Sequence, residues 1–262
     1  MVQLFNYGDR EAALFTMRRI STMIETDLGD MVARDDKLSS EFHTALAGIE
    51  AETSASEPSL TVLAGYVQSA IRQPALASGI EMDDRIEAFT TLSNDVLALL
   101  SDIEPGGYGR WVFRAVELTQ CAIVISLSRI VTTATPASRS HAIKTADDLL
   151  TEFSDIVDAL DTAAAEFDDQ AWDLRCFSQT SAYTVLSTLV SKCVAYLLRS
   201  AYDLKIEKRF TLARPTGVVA LAIEHYPDVD IDVACDLLIK ANELSGDDIL
   251  LMASGREIVV YV

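Results

Sequence analysis

The sequence predicts a mainly α-helical protein: a helical bundle with a long antiparallel helical hairpin, followed by a small α+β module in the order β-α-α-β. Three observations predict it. Apolar residues recur at steps of three and four through most of the first 205 residues, the period of helices packed on one side. Stretches rich in Gly, Pro and small polar residues divide that part into segments of helical length. After Arg209 the pattern changes to two short β-like runs flanking two short helical segments. Helix is expected over at least roughly three-fifths of the chain. The expected organisation is a helical bundle over residues 1–135, a hairpin over 136–208 and the small module over 209–262.

The elements follow in order. Residues 9–33 form a helix capped by Asp9, with Leu14, Met17, Ile20, Ile24 and Leu28 inward, and Gly29 ends or bends it. Leu38–Ile49 is a second helix and Ala51–Pro58 a loop. Leu60–Ile71 is a third, stopped before Pro74. Asp83–Leu100 is a fourth, with Ile86, Phe89, Leu92, Val96, Leu99 and Leu100 inward. Glu104-Pro105-Gly106-Gly107-Tyr108-Gly109 is the strongest break. Trp111–Val131 is a fifth helix, nearly apolar enough to span a bilayer; its Arg114, Glu117 and Arg129 favour a buried core helix instead. From Thr145 to Asp169 the seam Leu149, Phe153, Ile156, Leu160, Ala163 and Phe167 suits packing on another helix. The opposite face carries Asp147, Asp148, Glu152, Asp155, Asp158 and Asp161, for solubility and spacing. A turn at Asp168-Asp169-Gln170 leads into a helix from Trp172 to Lys205, roughly 50 Å long. In the last part, Phe210-Thr211-Leu212 is β-like, Val218–Tyr226 and Val233–Asn242 are helical, and Ile258–Val262 is a strand that pairs with the first.

Composition excludes several functions. The chain has 21 Lys and Arg against 40 Asp and Glu, a net charge of −19. Nucleic acids are polyanions whose binding releases counterions through clustered cations, and the densest cluster here is only Lys205-Ile206-Glu207-Lys208-Arg209, so no nucleic-acid partner is expected. Anionic membrane surfaces are disfavoured on the same ground, and no membrane span is expected. Met1-Val2-Gln3-Leu4-Phe5-Asn6 lacks the basic and apolar segments of a secretory signal. The cysteines at 121, 176, 193 and 235 lack zinc-ligand spacing and fall in apolar helical patterns, as small buried hydrophobes of a reducing compartment do.

Motifs that carry chemistry elsewhere are incomplete here. Asp228, Asp230 and Asp232 alternate as in a calcium loop, but the sixth and twelfth positions hold Val233 and Ile239 in place of Gly and Glu, so the carboxylates suit a helix start. His43, His141 and His225 have no Cys or second His nearby in sequence. Gly106-Gly107-x-Gly109 lacks the Lys-Ser/Thr of a phosphate loop. The paired carboxylates Asp35-Asp36, Asp83-Asp84, Asp147-Asp148 and Asp247-Asp248 sit mostly at predicted helix starts, as caps and solvated faces. No catalytic residue, metal or cofactor is expected, and the chain reads as a structural subunit.

The final segment carries a resemblance. Leu221-Ala222, Tyr226, Leu237 to Asn242, Leu244, Ile249, Leu251, Gly255, Ile258 and Val260 follow one another as in a LysM-type module, which the segment resembles. Asn242 is suited to end a helix in a left-handed conformation and Gly255 to turn into the last strand. Phe210-Thr211-Leu212-x-Arg214-Pro215, with the same helical residues and Gly255-Arg256-Glu257-Ile258-Val259-Val260-Tyr261-Val262, looks like the C-terminal tails of bacteriophage baseplate and tail-hub proteins, among them DNA-circulation proteins. The resemblance spans about residues 140–262, with its specific part at 209–262. The first 135 residues resemble no family and lack the β-rich N-terminal domain of DNA-circulation proteins.

The resemblance implies a structural component of a virion, made in the host cytoplasm and built into the tail or baseplate. Its partners would be other tail subunits and further copies of itself arranged round the tail axis. It places the protein contacts at Arg214, Pro215, Thr216, Tyr226, Asn242, Gly255, Arg256, Ile258, Val260 and Val262, with the free edge or apolar face of the last strand offered to a neighbour. The alternative it implies is a peptidoglycan-binding LysM protein of a tail tip or bacterial wall. The sugar-binding loop of LysM proteins carries Gly-Asp-Thr, and Arg214-Pro215-Thr216 stands here, so the module is expected to be structural.

Overall fold

The computed structural model describes residues 7–55, 59–102, 109–168, 175–204 and 206–261. The chain is 77% helical, above the fraction the periodicity requires, with ten helices and one two-stranded sheet among the described residues. The chain folds as two compact units: Met1–Thr135 with Thr145–Leu197, and Pro136–Lys144 with Leu198–Val262.

The first unit holds α1 (Tyr7–Val32), α2 (Asp36–Ser54), α3 (Leu60–Arg72), α4 (Met82–Ala98), α5 (Gly109–Thr133) and most of α6 (Arg139–Asp168) and α7 (Ser181–Asp203). Most of the expected inward residues are inward: Ile20, Ile24, Leu28, Phe89, Leu92, Val96 and Leu160 are fully buried, Leu149 and Phe153 nearly so, and Ile86 and Leu100 are half-buried, while the side chain of Phe167 lies outside the described residues. α5 is central and packs on α1, α3 and α4. Two of its buried polar side chains are satisfied within the core: Ser93 Oγ donates to Gln120 Oε1 at 3.0 Å, Gln120 Nε2 donates to the Ser93 carbonyl at 2.7 Å, and Thr119 Oγ1 donates to the Ala115 carbonyl at 2.8 Å. By length and composition both α5 and α7 could cross a membrane. The most apolar stretch of α5 is 67% buried, as in a core helix, whereas that of α7 is only 22% buried.

Several boundaries differ from the expected ones for local reasons. α1 begins at Tyr7, so Asp9 lies inside it, and it runs through Gly29 to Val32. α2 continues to Ser54, beyond the expected loop start at Ala51, because Arg18 reaches its end. Arg18 Nη2 donates to the Thr53 carbonyl at 3.0 Å and Nε to Thr53 Oγ1 at 3.2 Å, satisfying a terminal carbonyl that water would otherwise meet. α6 starts at Arg139, so Asp147-Asp148 lie within it and not at its start. Glu152 leaves the solvated face: it is half-buried against Ser93 and Thr90, and burial raises its pKa. α7 starts only at Ser181, because Thr180 is extended and its Oγ1 accepts from the Tyr183 N–H at 3.2 Å. The helix is therefore about 35 Å long and not 50 Å. The expected break at 104–108, the turn at 169–170, the helix start at Trp172 and Lys205 lie outside the described residues, as does the end of the 51–58 loop.

The second unit contains the start of α6, the end of α7, and β1 (Glu207–Thr211), α8 (Val218–His225), α9 (Ile231–Ala241), α10 (Asp247–Leu250) and β2 (Glu257–Tyr261). β1 and β2 pair antiparallel with Phe210 opposite Ile258, the pairing expected. α10 is an α-helix that the sequence pattern did not mark, since Asp247-Asp248-Ile249-Leu250 spans a single turn. Glu207 ties β1 to the start of α6 within this unit. Its Oε1 accepts from Arg209 Nε at 2.6 Å, and its Oε2 from Ser138 and Ser140 Oγ at 3.4 and 3.3 Å. Those bonds, Arg209's first, hold its pKa below the usual glutamate range against the opposing effect of burial.

A lowered folded pKa stabilises above the unfolded value, and the contribution disappears as pH falls through the folded pKa. Glu207→Gln is therefore expected to cost about 1 kcal/mol or less at pH 7, since Arg209 is largely exposed, and less again below about pH 4. Urea midpoints of both proteins at pH 7 and pH 3 check this, and a gap that widens on acidification contradicts it.

Candidate functional site

The site expected from the sequence lies in the second unit, whose core fixes which of its residues reach the surface. Alternation along β2 sends Ile258 and Val260 to one side, where both are fully buried with Leu221, Leu238, Leu244 and Met252. The apolar face of the last strand is thus turned into its own unit and not offered to a neighbour, which corrects that expectation. Ladder geometry sends the N–H groups of Val259 and Tyr261 away from β1, and both are occupied. Asn242 Oδ1 accepts from the Val259 N–H at 2.7 Å, Asn242 Nδ2 donates to the Val259 carbonyl at 2.9 Å, and Tyr226 OH accepts from the Tyr261 N–H at 2.7 Å. The outer edge of β2 is closed by side chains over this stretch, so it is not free for strand addition.

Asn242 also departs from its expected conformation. Its φ is −116°, and the left-handed residue is Glu243, with φ of 50°. Asn242 ends α9 by donating from Nδ2 to the Leu238 carbonyl at 2.9 Å while holding β2. Gly255 is left-handed, φ 87°, as the turn into β2 requires. Tyr226 is buried, and Arg256 is held by Asp248, with Nη1 to Oδ2 at 2.6 Å. Asp230 caps α9, its carboxylate accepting from the Asp232 N–H at 3.0 Å, which gives the alternating aspartates a structural role.

The loop Arg214-Pro215-Thr216 reaches the surface. Arg214 and Pro215 are exposed, and Thr216 exchanges two backbone hydrogen bonds with Met252, at 3.2 and 3.0 Å. The next residue packs closely: a Cβ on Gly217 would stand 2.5 Å from the Leu250 carbonyl oxygen. These contacts bring residues 214–219 beside 250–252. Large apolar side chains on these segments face water, with Val219 56%, Leu250 77% and Leu251 59% exposed. Ile223, one turn beyond Val219 on α8, is also exposed. A local apolar surface beside an exposed arginine is the chemistry of a protein contact.

Of the ten residues named from the sequence, Arg214, Pro215 and Gly255 are exposed, Thr216, Asn242 and Arg256 are half-buried, and Tyr226, Ile258 and Val260 are buried. Val262 lies outside the described residues. Sequence reasoning missed Val219, Ile223, Leu250 and Leu251. The signal was present: Val218-Val219-Ala220-Leu221-Ala222-Ile223 is apolar on every face, more than one buried stripe needs.

Two thiols of the helical unit are held in the protonated form. Burial, with Glu117 nearby, pushes the Cys121 thiol up to about 12, and burial raises that of Cys193, whose Sγ donates to the Ser128 carbonyl. Asp27, on α1, is raised by burial and then by Asp95. No protein-family model matches the chain, and no curated protein sequence matches it.

Proposed function

We propose that the chain is a structural subunit of a bacteriophage virion, a tail or baseplate adaptor or hub protein. It acts through protein–protein contacts in tail assembly, without catalysis or cofactor, and is present in several copies round the tail axis. The observation that carries this reading is the set of exposed apolar side chains Val219, Leu250 and Leu251, with exposed Arg214 and Pro215, on two segments that meet at Thr216–Met252 and at Gly217–Leu250. It falls on the segment that resembles phage tail proteins. The βααβ order, the buried Ile258 and Val260 and the turn at Gly255 support a LysM-like module, although α10 adds a turn to that order. Support for a hairpin comes from the rings of Phe153 on α6 and Tyr183 on α7, stacked with centroids 5.9 Å apart, and from Asp161 Oδ1 accepting from the Ser178 N–H at 3.0 Å. The loop that binds sugar in LysM proteins carries Gly-Asp-Thr, and here it reads Arg214-Pro215-Thr216, which favours docking over peptidoglycan binding.

The test is assembly in place. Deleting residues 209–262 is expected to prevent incorporation into particles, and the double variant Leu250→Asp, Leu251→Asp, which alters only exposed side chains, to do the same while leaving the chain folded. Normal incorporation of the double variant into infectious particles would overturn the reading of this surface. Saturable binding of peptidoglycan fragments by the wild-type chain would favour a wall-binding module instead.

A further inference from the structure

α7 presents an apolar stripe that the described residues leave open. Val185 is 67% exposed and Tyr196 44%, with Leu189 half-buried and Lys192 exposed between them. Residues 181–202 contain no acidic side chain in a chain of net charge −19. The hydroxyls around the stripe are engaged within the helix: Thr184 donates to the Thr180 carbonyl, Thr188 to that of Thr184 and Ser191 to that of Ser187, at 3.4, 2.8 and 2.7 Å. Covering this face with protein therefore strips water from few unsatisfied polar groups.

α6 has the complementary character. Residues 145–168 hold eight acidic and no basic side chains. An exposed stripe on this helix runs through Asp147, Leu150 and Ser154, with Leu150 45% exposed.

We infer that α7 of one copy docks antiparallel on α6 of a second copy. The spacing specifies the match. Lys192, Leu189 and Val185 are separated by three and four residues, and Asp147, Leu150 and Ser154 by the same steps. In an antiparallel pair Lys192 meets Asp147, Leu189 meets Leu150, and Val185 packs over the small Ser154. Two different faces meet, so the contact is heterologous, and it repeats from copy to copy into a ring or a filament. This deepens the multi-copy reading. Its variants lie on α6 and α7 and leave the 209–262 surface intact, so the failure of either is seen separately.

The experiment is sedimentation velocity on the full chain over a range of concentrations. The wild type is expected to gain apparent mass with concentration. Lys192→Asp and Asp147→Lys, both exposed and expected to keep the wild-type helical spectrum, each weaken association by at least about tenfold. An equimolar mixture of the two variants recovers it, because each supplies the charge the other has reversed. A wild-type chain that stays monomeric up to about 200 µM, a weak range for any assembly contact, overturns the inference. So does association indifferent to both reversals, or binding of α7 to phosphatidylcholine vesicles without self-association.

Discussion

Alanine at Gly217 is expected to destabilise the C-terminal unit by about 2–4 kcal/mol, the range of an overpacked site whose neighbour cannot move aside. The neighbour is a backbone carbonyl, that of Leu250, 2.5 Å from where the new Cβ would stand. Backing off would pull at the two hydrogen bonds between Thr216 and Met252. Torsion plays no part, since Gly217 has φ −85° and ψ 159°, extended backbone that alanine adopts freely. Gly65 is the control. It lies inside α3 with nothing near its Cβ position, so Gly65→Ala should stabilise by up to about 1 kcal/mol through helix propensity. Trp111 and Trp172 both precede residue 198, so their fluorescence is a poor reporter of the C-terminal unit. Amide hydrogen exchange across residues 207–261 is the suitable measurement, and unchanged protection in Gly217→Ala would contradict the close packing.

Much of the helical architecture was legible because one-sided burial writes its period into the sequence. Phe89, Leu92 and Val96 on α4 and Leu149, Phe153, Ile156 and Leu160 on α6 lie where the spacing placed them. Boundaries were less legible, because distant side chains set some of them. Arg18 prolongs α2 from 35 residues away, and no local pattern contains that contact. The start of α7 was locally encoded in Thr180, a residue suited to capping, but the scattered apolar residues Trp172, Leu174, Cys176 and Phe177 upstream of it obscured the signal. At the candidate site, alternation in Ile258-Val259-Val260 marked an apolar face without saying what it packs on; the unit's own helices take it. Arg214 and Pro215 lie on the surface, since a charged and proline-containing loop has few other places to go. The exposed leucines 250 and 251 were hidden because an apolar run reads as core unless the surrounding fold is known.

Asn242→Asp is expected to cost about 3 kcal/mol at pH 7, and the loss should shrink as the pH falls. The asparagine suits its place because it is donor and acceptor at once. Oδ1 takes the Val259 N–H, while Nδ2 serves two carbonyls, of Leu238 at the end of α9 and of Val259 in β2. Aspartate keeps the first bond and loses both donations, each worth about 1 kcal/mol; the Leu238 carbonyl still accepts from the backbone N–H of residue 242 at 3.2 Å, so the further cost falls on the Val259 carbonyl. Its charge then faces two carbonyl oxygens at the negative end of a helix. The cations lining the same cleft give limited relief: Arg209 is bound to Glu207 and Arg256 to Asp248, leaving Lys240 beside Glu243 and Glu257. These effects raise the folded pKa of the new carboxyl above the ordinary aspartate value of about 3.9. A group with a raised folded pKa contributes most below its unfolded value, and that contribution is lost as pH rises through the folded one. The gap from wild type should therefore be widest at neutral pH and narrow to about 1 kcal/mol near pH 4, where the protonated carboxyl can donate one of the missing bonds. Asn242→Ala serves as the reference, with a loss that does not vary in this way. Denaturant unfolding of the three proteins across that range, read by exchange in residues 207–261, decides it. A pH-independent gap for aspartate would mean that residue 242 does not join α9 to β2 through those two carbonyls.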